Sequence, residues 1–264
     1  MEDICLRFFK KRLCYYSLLI YKQLVSRRRK PVKIGDRIEV VYSESQWRLL
    51  SELRSKAIKI MENLERIGLN PIIHGSVARG DVSPTSDIDI VIPYVVPSYR
   101  IELLLDELNI KPFKRILTQA TPAHAVKAHI YLDEATIITF PLTNLTRHER
   151  EFYKFGGELT LSELKNNKRV CGVDKRLKLI EPSPRGHYEE PIIGKELYAA
   201  NKVGVSLDVV QERIKVLTRR DEVGRTGVYL KYEVGPGESI EEALMMLASK
   251  DPALRRVLTS RGFL

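Results

Sequence analysis

Cysteine is scarce in this chain. The three present among 264 residues, Cys5, Cys14 and Cys171, are odd in number and far apart, which excludes a disulfide framework, and none has metal-ligand spacing. The expected setting is therefore reducing and cytoplasmic. Long apolar runs are missing as well. The most apolar stretch near the start, Leu13 to Val25, is interrupted by Lys22 and Gln23 and falls short of the ~20 residues that span a bilayer. It sits between basic clusters in "FFKKRLCYYSLLIYKQLVSRRRK", and no small-residue cleavage site follows. A basic amphipathic helix is the first reading of this extension, with an appended start of the reading frame second, and a membrane span is not expected. There is no internal repeat and no low-complexity tract.

What the chain does have is apolar content and positive charge. With 44% hydrophobic residues it can bury a sizeable core, as one large domain or two modest ones. Lys and Arg number 44 against 34 Asp and Glu, a formal charge of +10 that suits an anionic partner such as nucleic acid, nucleotide or an acidic surface.

The pattern of elements is mixed. "PVKIGDRIEVVY" alternates like a strand, and residues 43–67 carry Trp47, Leu50, Ala57, Met61 and Leu64 on one helical face, with Ser43 or Ser45 as cap and Gly68 with Pro71 as stop. "PIIHGS" reads as a short buried strand entering a glycine turn, and "SDIDIVIP" as a second strand stopped by Pro93. A helix over 98–108 precedes three strands, "FKRILTQ", "AVKAHIYL" and "TIITFPL", the last two forming a hairpin through Asp133 and Glu134. Strands interleaved with helices predict an α/β fold with a mixed sheet and flanking helices.

After a polar helix over 144–155, the prolines of "EPSPRGHYEEP" read as a linker. A helix over 195–202, a turn at Gly204 and a helix over 206–218 suggest a helix-turn-helix, with "GVYLKYEVGPG" as a wing and one or two amphipathic helices to follow. The predicted organisation is a basic N-terminal extension (1–31), an α/β core (32–156), a connecting segment (157–191) and a smaller, mainly helical, winged-helix-like C-terminal domain (192–264). Lys202, Arg213, Arg219, Arg220 and Arg225 are candidates for nucleic-acid phosphates, although winged modules also serve as protein contacts.

The chemistry concentrates in "HGSVARGDVSPTSDIDIVIP". Residues two apart on a strand share a face, so Asp87 and Asp89 project together while Ile88 and Ile90 enter the core. Adjacent carboxylates repel unless a cation sits between them, and a divalent metal, Mg²⁺ or Mn²⁺, is the economical explanation. Upstream, Gly75 permits a sharp turn, Ser76 offers a hydroxyl and an amide, and residues 77–80 can start a short helix whose free N–H groups suit phosphate. Arg79 adds a cation in reach of a triphosphate. His74, His124 and His129 are read as packing residues, and "RGHYEEP" with Arg185 and His187 is weighed as part of a pocket but reads better as linker.

With these residues in view, "GSVARGDVSPTSDIDIVI" resembles the signature of the DNA polymerase beta type nucleotidyltransferase superfamily, and the chain is similar to its uncharacterised archaeal-type members. The resemblance covers residues 72–93 specifically and runs more loosely to Leu142. It implies a nucleotidyltransferase-like core, an NTP substrate bound by Gly75 and Ser76, and catalytic metals on Asp87 and Asp89. It also implies a third carboxylate on a later strand, and "TIITFPL" has Thr136 and Thr139 but no acid; Asp133, Glu134, Glu158 and Glu163 are the remaining candidates. The expected activity is transfer of a nucleoside monophosphate to an acceptor hydroxyl. The alternative is a catalytically degenerate relative that binds nucleotide and nucleic acid as a regulator.

Overall fold

The computed structural model describes residues 30–224 and 227–264. The predicted basic N-terminal helix, Cys5, Cys14 and Arg225 lie outside the described residues.

Strand β1 (Ile38–Val41) leads into α1 (Glu44–Arg66), capped as expected by the Ser43 hydroxyl, which accepts from the Gln46 amide. Next come β2 (Ile72–His74), the single turn α2 (Ser76–Arg79), β3 (Ile88–Val91) and α3 (Ser98–Glu107). The three predicted strands form as β4 (Lys114–Gln119), β5 (Lys127–Tyr131) and β6 (Thr136–Pro141). Then follow α4 (Arg147–Gly156), β7 (Glu158–Thr160), α5 (Leu161–Lys165), β8 (Gly172–Val173), β9 (Lys178–Ser183) and β10 (Gly186–Pro191). The remainder comprises α6 (Glu196–Val203), α7 (Leu207–Glu222), β11 (Leu230–Glu233), α8 (Ile240–Lys250) and α9 (Pro252–Ser260).

These strands make a seven-stranded sheet, in the order β11-β4-β5-β6-β3-β2-β7, and a four-stranded sheet, β1-β10-β9-β8. Only the β3–β6 pairing is parallel, so the larger sheet is mixed, as the element pattern predicts. One of its faces carries Ile73, Ile90, Ile138 and Ile130 in register across four strands. That row packs into a single cluster with Ala57, Met61 and Leu64 of α1, Ile101 and Leu105 of α3, and Leu244, Leu254 and Leu258 of α8 and α9. Each such side chain contributes about 1.5–3 kcal/mol when fully buried. The opposite face begins with Ile72 and Val91 under Tyr153 of α4 and opens toward the aspartates.

Two C-terminal expectations change. The linker reading of "EPSPRGHYEEP" fails because this segment is the β9–β10 hairpin, with Pro182 opposite His187. Its acids can be buried because cations meet them: Glu189 binds Arg176 and Lys178, and Glu190 binds Lys195. The helix pair α6–α7 forms, with Gly204 at φ 68° ending α6, but the wing does not sit on it. Strand β11 instead pairs with the free edge of β4, Leu230 opposite Gln119, because Leu230 and Tyr232 find apolar partners on the main core. The segment expected as one C-terminal domain is thus divided. Residues Ala199, Ala200, Val209 and Val210 join Phe155, Val173 and Leu179 in a second cluster, whereas residues from Leu230 onward belong to the main one.

An acid clamp fastens α7 to α4. Glu151 accepts from the Ser206 amide at 2.8 Å and its hydroxyl at 2.6 Å, and from Arg147 at 2.6 Å. The Ser206 bonds, chiefly, with Arg147 behind them, pull the Glu151 carboxyl down to about 2. A lowered folded-state value means that this clamp stabilises above the ordinary carboxylate range and is lost as pH falls toward 2. Glu151→Gln is expected to flatten the acid limb of a melting-temperature profile between about pH 5 and pH 2, and thermal unfolding across that range measures it.

Candidate functional site

The site is built where β2 ends. Gly75 takes φ 80°, ψ −142°, a backbone state that a side chain disfavours, and turns the chain out of the sheet into α2. An added Cβ there would meet no atom within 4 Å, so the space beside the bend is open. β2 and β3 are antiparallel with His74 opposite Asp89, so Gly75 and Ser76 leave the sheet alongside Ile88 and Asp87. The Ser76 hydroxyl donates to Ser86 Oγ at 3.1 Å, and the Ser83 amide donates to the same oxygen at 2.9 Å, closing the loop between bend and strand. As predicted, Ile88 and Ile90 are buried in the core, 1% and 0% exposed, which leaves Asp89 on the other face; Asp87, the residue just before β3, acts on Asp89 electrostatically.

The bend is held from below. Arg54 of α1, itself buried, donates to the carbonyls of Val77 and Ala78 at 3.1 Å each, and the Gly75 amide donates to the Gly157 carbonyl at 2.9 Å. Burial brings Arg54 down to about 10, which leaves it a cation at neutral pH. Arg79 belongs to this support and not to a ligand. It is 6% exposed and grips both Asp81 oxygens at 2.9 Å and the Gly156 carbonyl at 2.5 Å. These bonds aim its Nε and both terminal nitrogens at partners inside the protein.

Asp89 has the distinctive electrostatics. Burial pushes its carboxyl up to about 6, Asp87 adds to the rise, and Lys175 opposes it. The Tyr131 hydroxyl is raised by burial first and then by Asp89 and Asp87, so Tyr131 shares their face. Lys175, in the β8–β9 turn, and Tyr131 are site neighbours that the motif could not supply. Tyr131 has a weak signal in the alternation of "AVKAHIYL"; Lys175 has none, being distant in sequence and exposed.

Between the acids and Tyr131 stands Ile137, opposite Asp89 in β6 and opposite Tyr131 through β5. An apolar side chain therefore stands beside Asp89 on β6. Thr136 is buried with Ile88 on the core face, and Thr139 is bonded to His129. Of the other candidate acids, Asp133 binds Lys56 at 2.6 Å, Glu158 both guanidinium nitrogens of Arg150 at 2.6 and 2.8 Å, and Glu163 Lys168 and the α5 cap, while Glu134 is exposed in the β5–β6 turn. Among the described residues, no group of three or more His, Cys, Asp or Glu is placed to hold a metal.

The remaining candidates scatter. His74 packs between Phe152 and Tyr153, and burial drives its imidazole down to about 3, leaving it neutral. His129 bridges Thr118 and Thr139, and His187 is buried on the Tyr42 hydroxyl at 2.7 Å, so the "RGHYEEP" segment forms no nucleotide pocket through it. Lys202 pairs with Glu181 at 2.7 Å, and Arg213 lies 5.0 Å over the Phe152 ring. Arg219 and Arg220 are exposed in the last turn of α7. Of the four described cations, Lys202 lies on α6 and Arg213, Arg219 and Arg220 on α7.

A mixed sheet whose second strand ends in a glycine-serine bend beside a paired-carboxylate strand fits a nucleotidyltransferase core. Residues 54–155 match the family model described as "Nucleotidyltransferase domain", which supports a general nucleotidyl-transfer function for this part of the chain and implies an NTP substrate. No curated protein matches the chain, and neither does any solved structure.

Arg54→Met would leave the two α2 carbonyls without their donor. A loss of about 2 kcal/mol in unfolding free energy is expected, read by denaturant melts, and Arg54→Lys should recover only part of it because one ammonium cannot reproduce the fork.

Proposed function

We propose that the protein binds a metal-complexed nucleoside triphosphate at Gly75, Ser76, Asp87 and Asp89 and transfers its nucleoside monophosphate to an acceptor hydroxyl, releasing pyrophosphate. The observation that carries this reading is the open glycine bend set beside two carboxylates on one sheet face. The donor set suits Mg²⁺ or Mn²⁺, since both groups are hard oxygens and two protein ligands leave room for water and substrate phosphates. Asp87 and Asp89 would hold the ion, which when bound draws charge from the triphosphate and offsets the repulsion that raises Asp89. The amides of Ser76 and Val77, the two that open α2, orient phosphate oxygens, and the Ser76 hydroxyl joins them by turning away from Ser86. Lys175 adds positive charge next to Asp89. Tyr131 and Ile137 limit water on the far side.

Ile137 favours a second reading, in which the fold binds nucleotide without efficient transfer and acts as a nucleic-acid-binding regulator. Arg219 and Arg220, together with Arg225, then remain the cations offered to a phosphate backbone. No helix among the described residues is long and apolar enough to cross a membrane.

In titration calorimetry the unaltered protein is expected to bind NTP in a Mg²⁺-dependent way, and Asp87→Asn or Asp89→Asn to weaken that binding at least tenfold. Equal affinity in both variants overturns the site. Release of pyrophosphate from NTP, with a cell extract as acceptor pool, separates the two readings. Ile137→Asp restores a third carboxylate opposite Asp89, and it is expected to tighten Mn²⁺ binding and to raise pyrophosphate release above that of the parent; no change in either would show that Ile137 is not what limits the site.

A further inference from the structure

On the same sheet face, at the other end of the strands, a second cavity of about 250 Å³ opens between the β4–β5 turn, α4 and α7. Its lining includes His124, Lys127, Phe152, Glu212, Arg213 and Arg261. Lys127 and Tyr131 bound β5, so about 13 Å of strand separates this cavity from the aspartate pair.

The charges here do not cancel. Arg261 is paired with Glu149 at 2.6 Å, and Glu149 is further saturated by the amides of Ala125 and Thr146 at 2.6 and 2.8 Å. Lys127 donates to the Tyr153 hydroxyl at 3.0 Å and lies 4.9 Å from the centre of that ring. Arg213 stacks on Phe152, and its buried Nε has no hydrogen-bond partner. Neither cation forms an ion pair with a described carboxylate; Glu212, beside Arg213 in sequence, is on the exposed rim. Burial, and then the nearby Arg220, lower the Arg213 guanidinium from its ordinary value, and Glu212 partly opposes them. A half-buried guanidinium with an unpartnered Nε and no close ion pair is costly, and an anion in the cavity would reduce that cost.

We propose that this cavity is a second anion site, taking the phosphate group of a compact phosphomonoester, separate from the Asp87–Asp89 site. Two cations without close ion pairs, Lys127 and Arg213, offer more donors to a phosphate than a singly charged carboxylate can accept, and a guanidinium fork suits phosphate geometry. The volume lies below the ~300–1,000 Å³ usual for ligand pockets, which suits a compact ligand better than a whole nucleoside triphosphate. Phe152 and Tyr153 also pack on His74, 5.5 and 5.3 Å between ring centres, so an occupant rests against the layer that seats Gly75.

The test uses the full chain and compares inorganic phosphate, glycerol phosphate and acetate at matched ionic strength, by thermal shift and calorimetry. Both phosphates are expected to raise the melting temperature and acetate not to, because a ligand specific to the folded state stabilises it by mass action. Lys127→Met and Arg213→Met should each weaken phosphate affinity at least tenfold, whereas an Asp87→Asn, Asp89→Asn double variant should keep it. Unchanged affinity in Lys127→Met and Arg213→Met, loss of binding in the aspartate variant, or acetate matching phosphate overturns the proposal. If Arg213→Met does not fold, Lys127→Met decides alone. The outcome at the aspartate pair is read separately by NTP binding, so failure of one site leaves the other standing.

Discussion

The antiparallel register of β2 on β3 is the constraint on which the rest of the molecule depends. Because His74 lies opposite Asp89, the residue after it leaves the sheet where the two carboxylates enter. A slip of one residue would turn Asp87 and Asp89 into the core and Ile88 and Ile90 out to solvent. The burial of those isoleucines therefore enforces a polar arrangement on the reverse face, and hydrophobic packing fixes the direction in which the acids point.

The bend is then made rigid by groups that touch no ligand. Arg54 comes from α1, Arg79 from α2 itself, and Gly156 and Gly157 from the end of α4, so three separate stretches converge under four residues of backbone. Gly156 and Gly157 allow this approach: a Cβ on Gly156 would collide with His74, and one on Gly157 with Arg79. Positive charge that looks available for substrate in the sequence is thereby consumed in architecture, with Lys175 left next to Asp89.

How much could be read in advance follows from the range of each interaction. The α1 helix, its Ser43 cap, the β5–β6 hairpin and the burial of Ile88 and Ile90 are legible because periodicity and turn chemistry are local. The facing of Ile137 toward Asp89 was not, since "TIITFPL" alone does not say which neighbour β6 will take or in what register. The bonds of Arg79 are hidden for a related reason: a cation beside a phosphate-type turn has the same sequence whether it points outward or onto Asp81. The prolines near Arg185 suggested a linker because the cations that neutralise Glu189 and Glu190 come from Arg176, Lys178 and Lys195, visible as partners only after the hairpin closes.

The pairing of β11 with β4 also governs the order in which the molecule can be completed. More than a hundred residues separate the two strands, so during synthesis the edge of β4 stands bare until Leu230 has emerged from the ribosome. Strand β1 waits in the same way for β10. Both sheets are therefore sealed late by long-range closures, a topology that slows folding and leaves a nascent chain with a hydrogen-bonding edge that other extended chains could capture.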